Sequence, residues 1–245
     1  MKLCFMMLHY GLPYLEAALK AIKPQVDHII LFYAAKPSQG FVTDMACPDD
    51  PGELKAIADK YGAEWIEGNW ATEGDHCGAV WAHADNYDWI VRIDSDEIVP
   101  LGAVDYWISV AEKSNAKMYK APFQHFWRSF SKVCKDGQMP DRLYRVKGGD
   151  GFAYLDDGFL IGEPEKYRVF HMGYAQPTKY IEYKMQVQAH RPEWRPDWFR
   201  NKWIPNAQTD IHPVCLNFWN AGEFDLNRLP EILREHPYYG KKVIE

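Results

Sequence analysis

The stretch of this chain with the clearest chemical content is Asp88-Trp89-Ile90-Val91-Arg92-Ile93-Asp94-Ser95-Asp96-Glu97. An apolar run, Trp89–Ile93, reads as a strand and leads directly into two aspartates. On an extended backbone residues i and i+2 share a face, so Asp94 and Asp96 can converge on one point. In open α/β sheets ligands gather outside the carboxyl ends of the strands, which is where this pair falls. Two carboxylates held there repel one another unless a cation sits beside them. Hard oxygen donors select Mg²⁺ or Mn²⁺, ions that also bind diphosphate oxygens. Glu97 adds a third acid. The same turn can also be read as a plain cap for the helix that follows Pro100.

Other residue types with chemical potential lie further along. His171 stands at the end of a predicted strand, Tyr167–Phe170, two residues before Gly173. Asp156-Asp157-Gly158 has turn composition, and Glu163 precedes Pro164. Residues 190–203 interleave Arg191, Arg195, Arg200 and Lys202 with Trp194, Trp198, Phe199 and Trp203. Such interleaving can bind single-stranded nucleic acid by stacking and phosphate contact. Glu193 and Asp197 dilute its charge, so a cap that packs its tryptophans against a catalytic domain is the preferred reading.

The elements that must position these groups follow from composition and periodicity. The chain has 245 residues, with 28 Lys+Arg against 34 Asp+Glu and a net charge of -6. That balance argues against a dedicated nucleic-acid or anionic-membrane binder. Hydrophobic residues at 47% and charged residues at 25% place the chain among folded globular proteins. No apolar run approaches the roughly eighteen residues of a membrane span. The opening Leu3–Leu8 run is too short for a signal peptide. Five scattered cysteines without a Cys-x-x-Cys pair fit a reducing cytoplasm.

Apolar runs at 3–8, 29–33, 63–67 and 89–93 alternate with helical spacing over 12–22, 51–61, 76–86 and 104–111. Asp50, Pro51 and Glu53 give the second helix a capped start and Gly62 gives it a stop. Alternation of this kind predicts an α/β fold with a mostly parallel sheet flanked by helices. Strands expected at 117–123, 141–146 and 167–170 make a small antiparallel extension. Helices expected at 178–190 and 229–235 belong to a C-terminal cap, which divides the chain at 1–175 and 176–245.

Several segments, in order, resemble the GT-A-fold glycosyltransferases, and most of all their family 2 members. Asp94-Ser95-Asp96-Glu97 is similar to the Asp-x-Asp or Asp-x-Asp-Glu motif that ends a strand in that family. Leu15-Glu16-Ala17-Ala18-Leu19-Lys20-Ala21-Ile22 with Val26-Asp27 resembles its first helix and the entry to its second strand. Arg142-Leu143-Tyr144-Arg145 resembles "R-L-[FY]-R", Ile161-Gly162-Glu163 resembles "I-H-E", and His171-Met172-Gly173-Tyr174 resembles "H-x-G-Y", with Lys184 following. Together these span residues 1–185.

The resemblance implies a Rossmann-like GT-A domain that transfers a sugar from a nucleotide-diphosphate sugar, a UDP-sugar first of all, to an acceptor hydroxyl. It implies Mn²⁺ or Mg²⁺ on Asp94 and Asp96 with His171 as third ligand. Tyr33, Asp75, Ser95 and Lys184 would contact the donor along with Asp94. In an inverting transfer Glu163 would be the first candidate for the base, with Asp157 and Asp156 next. The acceptor could be a glycan, a small molecule or a modified DNA base. The sequence departs from the family where the nucleobase would sit. Tyr10-Gly11 stand for the frequent Asn-Glu, Tyr33 for a strand-ending aspartate, and Glu73-Gly74-Asp75 for "A-R-N". Two other readings remain: a sugar-nucleotide nucleotidyltransferase, against which the missing glycine-rich basic loop at Leu8–Pro13 counts, and a non-catalytic sugar-binding protein.

Overall fold

The computed structural model describes residues 1–38, 41–134, 138–147, 158–163, 165–188, 190–216 and 219–245. The first half alternates strand and helix: β1 (Lys2–Leu8), α1 (Leu12–Ile22), β2 (His28–Ala34), α2 (Pro51–Tyr61), β3 (Glu64–Gly68), α3 (Glu73–Gly78) and β4 (Trp89–Arg92). Next come β5 (Glu97–Ile98), α4 (Ala103–Lys113), β6 (Met118–Lys120), β7 (Phe123–Trp127) and β8 (Lys132–Cys134). The chain continues through β9 (Asp141–Arg145), β10 (Phe159–Ile161), β11 (Val169–Tyr174), α5 (Thr178–Val187), β12 (Ala221–Glu223) and α6 (Glu231–Arg234).

Seven strands form the main sheet in the order β10-β6-β9-β4-β1-β2-β3. β4, β1, β2 and β3 are mutually parallel, and β9 runs antiparallel between β4 and β6. β1 lies at the centre because it is apolar on both faces, as a strand covered on both sides must be. Cys4, Met6 and Leu8 pack with α1 residues such as Leu15 and Leu19. Leu3 and Phe5 pack on the other face with Val80 and Ala84. Helix α2 starts on the Asp50 side chain, which accepts from Gly52 N and Glu53 N, and ends at Gly62 with φ 65°.

The second sheet has the order β12-β8-β7-β11-β5. Its two longest strands, β7 and β11, carry its aromatic side chains. Its far side is closed by the C-terminal segment, where Trp198, Trp203 and Trp219 cluster with Trp127 and Tyr174. Arg195 Nη1 donates to Asp210 Oδ1 at 2.7 Å and Lys202 Nζ stands 3.2 Å from Asp210 Oδ2. Arg195 and Lys202 of the 190–203 stretch are therefore both paired with Asp210. Leu229, Leu233 and Ile244 join the main core. Among the described residues no helix is long and apolar enough to cross a membrane.

Several elements differ from the sequence expectation, among them the helix expected over 229–235, which is α6 alone, Glu231–Arg234. The strand expected over 117–123 is two strands in different sheets, because Pro122 lies between β6 and β7 and lacks the N–H that a continuous ladder needs. The helix expected over 76–86 is α3 followed by a 3-10 turn, Ala79–His83. The strand expected over 167–170 is shifted to Val169–Tyr174, since Tyr167 has φ 49°. His171 is consequently inside β11 and not at its end. The helix expected over 178–190 stops at Val187, where Gln188 turns extended.

Candidate functional site

The chain leaves β4 in the main sheet and enters β5 in the second sheet through the Asp94-Ser95-Asp96 turn. Glu97 N donates to Asp94 O at 3.1 Å, which closes the turn, and Met172 N donates to Asp96 O at 2.8 Å, which pins it to β11. Gly11, just after β1, packs against the middle of the turn. It has φ 156°, and a Cβ there would come within 2.1 Å of Ser95 Oγ. Both the backbone angle and the contact require glycine. Register does the rest. β5 pairs antiparallel with β11 so that Glu97 faces His171, and β7 pairs parallel with β11 so that His125 faces His171 on the other side.

A cavity of about 540 Å³ opens over this turn. Asp94, Ser95, Asp96, His125, His171, Gln176 and Lys184 line it, with His9, Tyr10 and His76 on one side and His190, Glu193, Trp194, His212 and Trp219 on the other. Asp96 Oδ1 is 3.8 Å from His171 Nε2, and its Oδ2 accepts from Gln176 Nε2 at 3.1 Å. Asp96, Glu97 and His171 form a group of metal-ligating side chains close enough to share an ion. Glu97 is fully buried, however, and Arg142 donates to it through both Nε and Nη2. Arg142 Nη2 also lies 3.5 Å from Asp94 Oδ2. Asp96 and His171 are thus the ligands left for an ion, with Asp94 lining the same cavity. One or two carboxylates with a neutral imidazole suit Mn²⁺.

The electrostatics agree with that division. Burial alone would raise the Asp94 carboxyl, but the Arg142 and Arg92 guanidinium groups hold it below the usual carboxylate range. Burial and the Asp94 charge push Asp96 upward, against the opposing pull of Lys184. Burial pushes His171 well down, and the neighbouring His125, Lys184 and Arg142 act in the same direction. Each of these causes favours the neutral imidazole, the form that a metal ligand needs. Gly173 is needed for this packing: a Cβ there would come within 2.6 Å of His171 Nε2 and 3.3 Å of Lys184 Nζ.

No protein-family model matches the chain, and no curated protein matches it. Solved structures do match. The crystal structure of S. aureus TarS 1-349 in complex with UDP-GlcNAc superposes with a TM-score of 0.45 at 10% identity, covering 69% of this chain and 58% of that one. For the same protein in complex with UDP the values are 0.40, 9%, 60% and 47%. For a longer S. aureus TarS chain they are 0.40, 8%, 59% and 28%. The chain spans less than two thirds of the length of each TarS chain it matches.

Of the residues singled out in the sequence, the fold brings Asp94, Ser95, Asp96, His171 and Lys184 to the cavity. Tyr33 and Asp75 are not in its lining. Tyr33 is buried and stacks on Trp65 with ring centroids 4.7 Å apart. Asp75 is exposed in the first turn of α3, bonded to Thr72. Glu163 is also outside the lining: it is exposed, accepts from Tyr106 OH at 3.1 Å and pairs with Lys166 at 3.1 Å. Asp156 and Asp157 lie outside the described residues. Sequence reasoning missed Gln176, His125 and the role of Arg142. The "R-L-[FY]-R" likeness pointed to Arg142, but only its partners show why an arginine stands there.

Proposed function

We propose that this chain is a metal-dependent glycosyltransferase that moves a sugar from a UDP-sugar to an acceptor hydroxyl. The observation that carries the reading is the meeting of Asp94, Asp96 and His171 in one cavity at the carboxyl end of β4. Asp96 and His171 would hold Mn²⁺ or Mg²⁺, with Asp94 beside them. The ion would act there as a Lewis acid toward the departing diphosphate. Lys184, on the same wall, adds a positive charge toward that leaving group. Ser95 fixes the turn against Gly11 and so sets where the carboxylates point.

An inverting transfer needs a carboxylate base for the acceptor proton. Glu163 would have to act from outside the lining of the cavity. Glu193 lines it, 3.2 Å from His190 Nδ1, and is our choice for the base. The C-terminal wall of Trp194, Trp219, His190 and His212 suits a hydroxylated acceptor with an apolar face, such as a glycan or a small glycoside. A DNA acceptor is less well served, since Arg195 and Lys202 are held by Asp210.

Thermal unfolding with UDP tests the donor site. UDP with Mn²⁺ should raise Tm, and UDP alone should not, because only binding to the folded state stabilises it. Asp96→Asn should remove the Mn²⁺-linked rise. A rise that is equal without the metal, or unchanged in the variant, overturns the reading. Glu193→Gln should keep the UDP–Mn²⁺ shift and lose transfer, whereas Glu163→Gln should keep both; the reverse result returns the role to Glu163.

A further inference from the structure

His125 and His171 face each other across the parallel β7–β11 pair, with Nδ1 atoms 2.6 Å apart and ring planes at 89°. At that distance one ring must donate and the other accept. With one proton on each ring, the pair has two N–H protons to place. One lies between the Nδ1 atoms, and the other sits on one of the two Nε2 atoms. If it sits on His171 Nε2, it faces the Asp96 carboxylate 3.8 Å away. If it sits on His125 Nε2, His171 donates through Nδ1 and turns a bare Nε2 lone pair toward Asp96. The two arrangements hold the same number of protons.

We propose that His125 is the positioning residue for His171: by accepting from Nδ1–H it leaves the Nε2 lone pair of His171 aimed at the space beside Asp96, where a divalent cation binds. The proposal rests on the metal reading above and adds what makes His171 a ligand. A histidine that binds metal through one nitrogen needs a partner for the other, and losing that partner typically lowers metal affinity about 10–100-fold. The partner is built into the fold: His125 is 2% exposed, sits among Phe123, His171 and Trp219, and is held opposite His171 by strand register.

The test is Mn²⁺ binding followed by electron paramagnetic resonance of the free ion. His125→Leu should weaken binding about 10–100-fold, and His125→Asn, whose amide oxygen can accept the same bond, should stay within a few-fold of the unaltered protein. Equal binding by all three overturns the proposal while leaving the metal reading intact. Absence of Mn²⁺ binding by the unaltered protein removes both. Should the leucine variant fail to fold, ring ¹⁵N shifts of the unaltered protein decide. With diamagnetic Zn²⁺ as the probe ion, His171 must show its proton on Nδ1, and a proton on Nε2 rejects the assignment.

Discussion

Replacing Arg142 by methionine would strip Glu97, a carboxyl that burial already pushes up to about 8, of the two bonds donated by Nε and Nη2. Loss of one member of a buried pair costs about 3–5 kcal/mol, which urea unfolding of Arg142→Met should show. Adding Glu97→Leu should recover much of that loss, because the buried carboxyl left without its donors is then gone. His236 gives a separate pH prediction. Burial lowers its pKa from the ordinary 6.5, and its Nε2 donates to Pro13 O at 2.8 Å. The unfolded chain therefore takes up this proton first as pH falls. Stability should be flat above about pH 6.5 and decline below it, and His236→Phe should flatten the decline in thermal melts. At this scale the lining of the candidate site was legible where chemistry and spacing coincide, as at Asp94 and Asp96. His125 was not legible, because only strand register brings it beside His171.

Asp49 and Asp50 are adjacent, yet they serve different helices. Asp50 caps α2 locally, a signal written in Asp50-Pro51 and Glu53. Asp49 is buried and reaches back to α1, accepting from Gly11 N at 2.7 Å and Leu12 N at 2.8 Å, while Tyr180 of α5 donates to its other oxygen. Its carboxylate suits the positive end of a helix whose own cap residue, a glycine, offers no side chain. Asp49→Ala should cost about 1–2 kcal/mol, as lost caps do. The same change should loosen Gly11 against Ser95 and so weaken Mn²⁺-linked UDP binding, read by titration calorimetry. Long periodic elements such as α1, α2 and β1 were readable because their apolar residues repeat along one or two faces. β5, β8 and β12 span two or three residues each. They carry no period of their own and exist because a neighbour pairs with them.

Across the whole molecule, the chain passes repeatedly between the two sheets, and the passage that lines the cavity is the acidic turn, which starts from β4 and continues into β5. Asp94 therefore belongs mechanically to the first sheet, while Asp96, tied to Met172 N and Gln176, belongs to the second. Any small rotation of one sheet against the other changes the gap between these carboxylates. A ligand that grips both would then act as a clasp across the joint. Amide hydrogen exchange should slow throughout β5 and β11 when UDP and Mn²⁺ are added together, well beyond the atoms they touch, and each alone should leave it nearly unchanged.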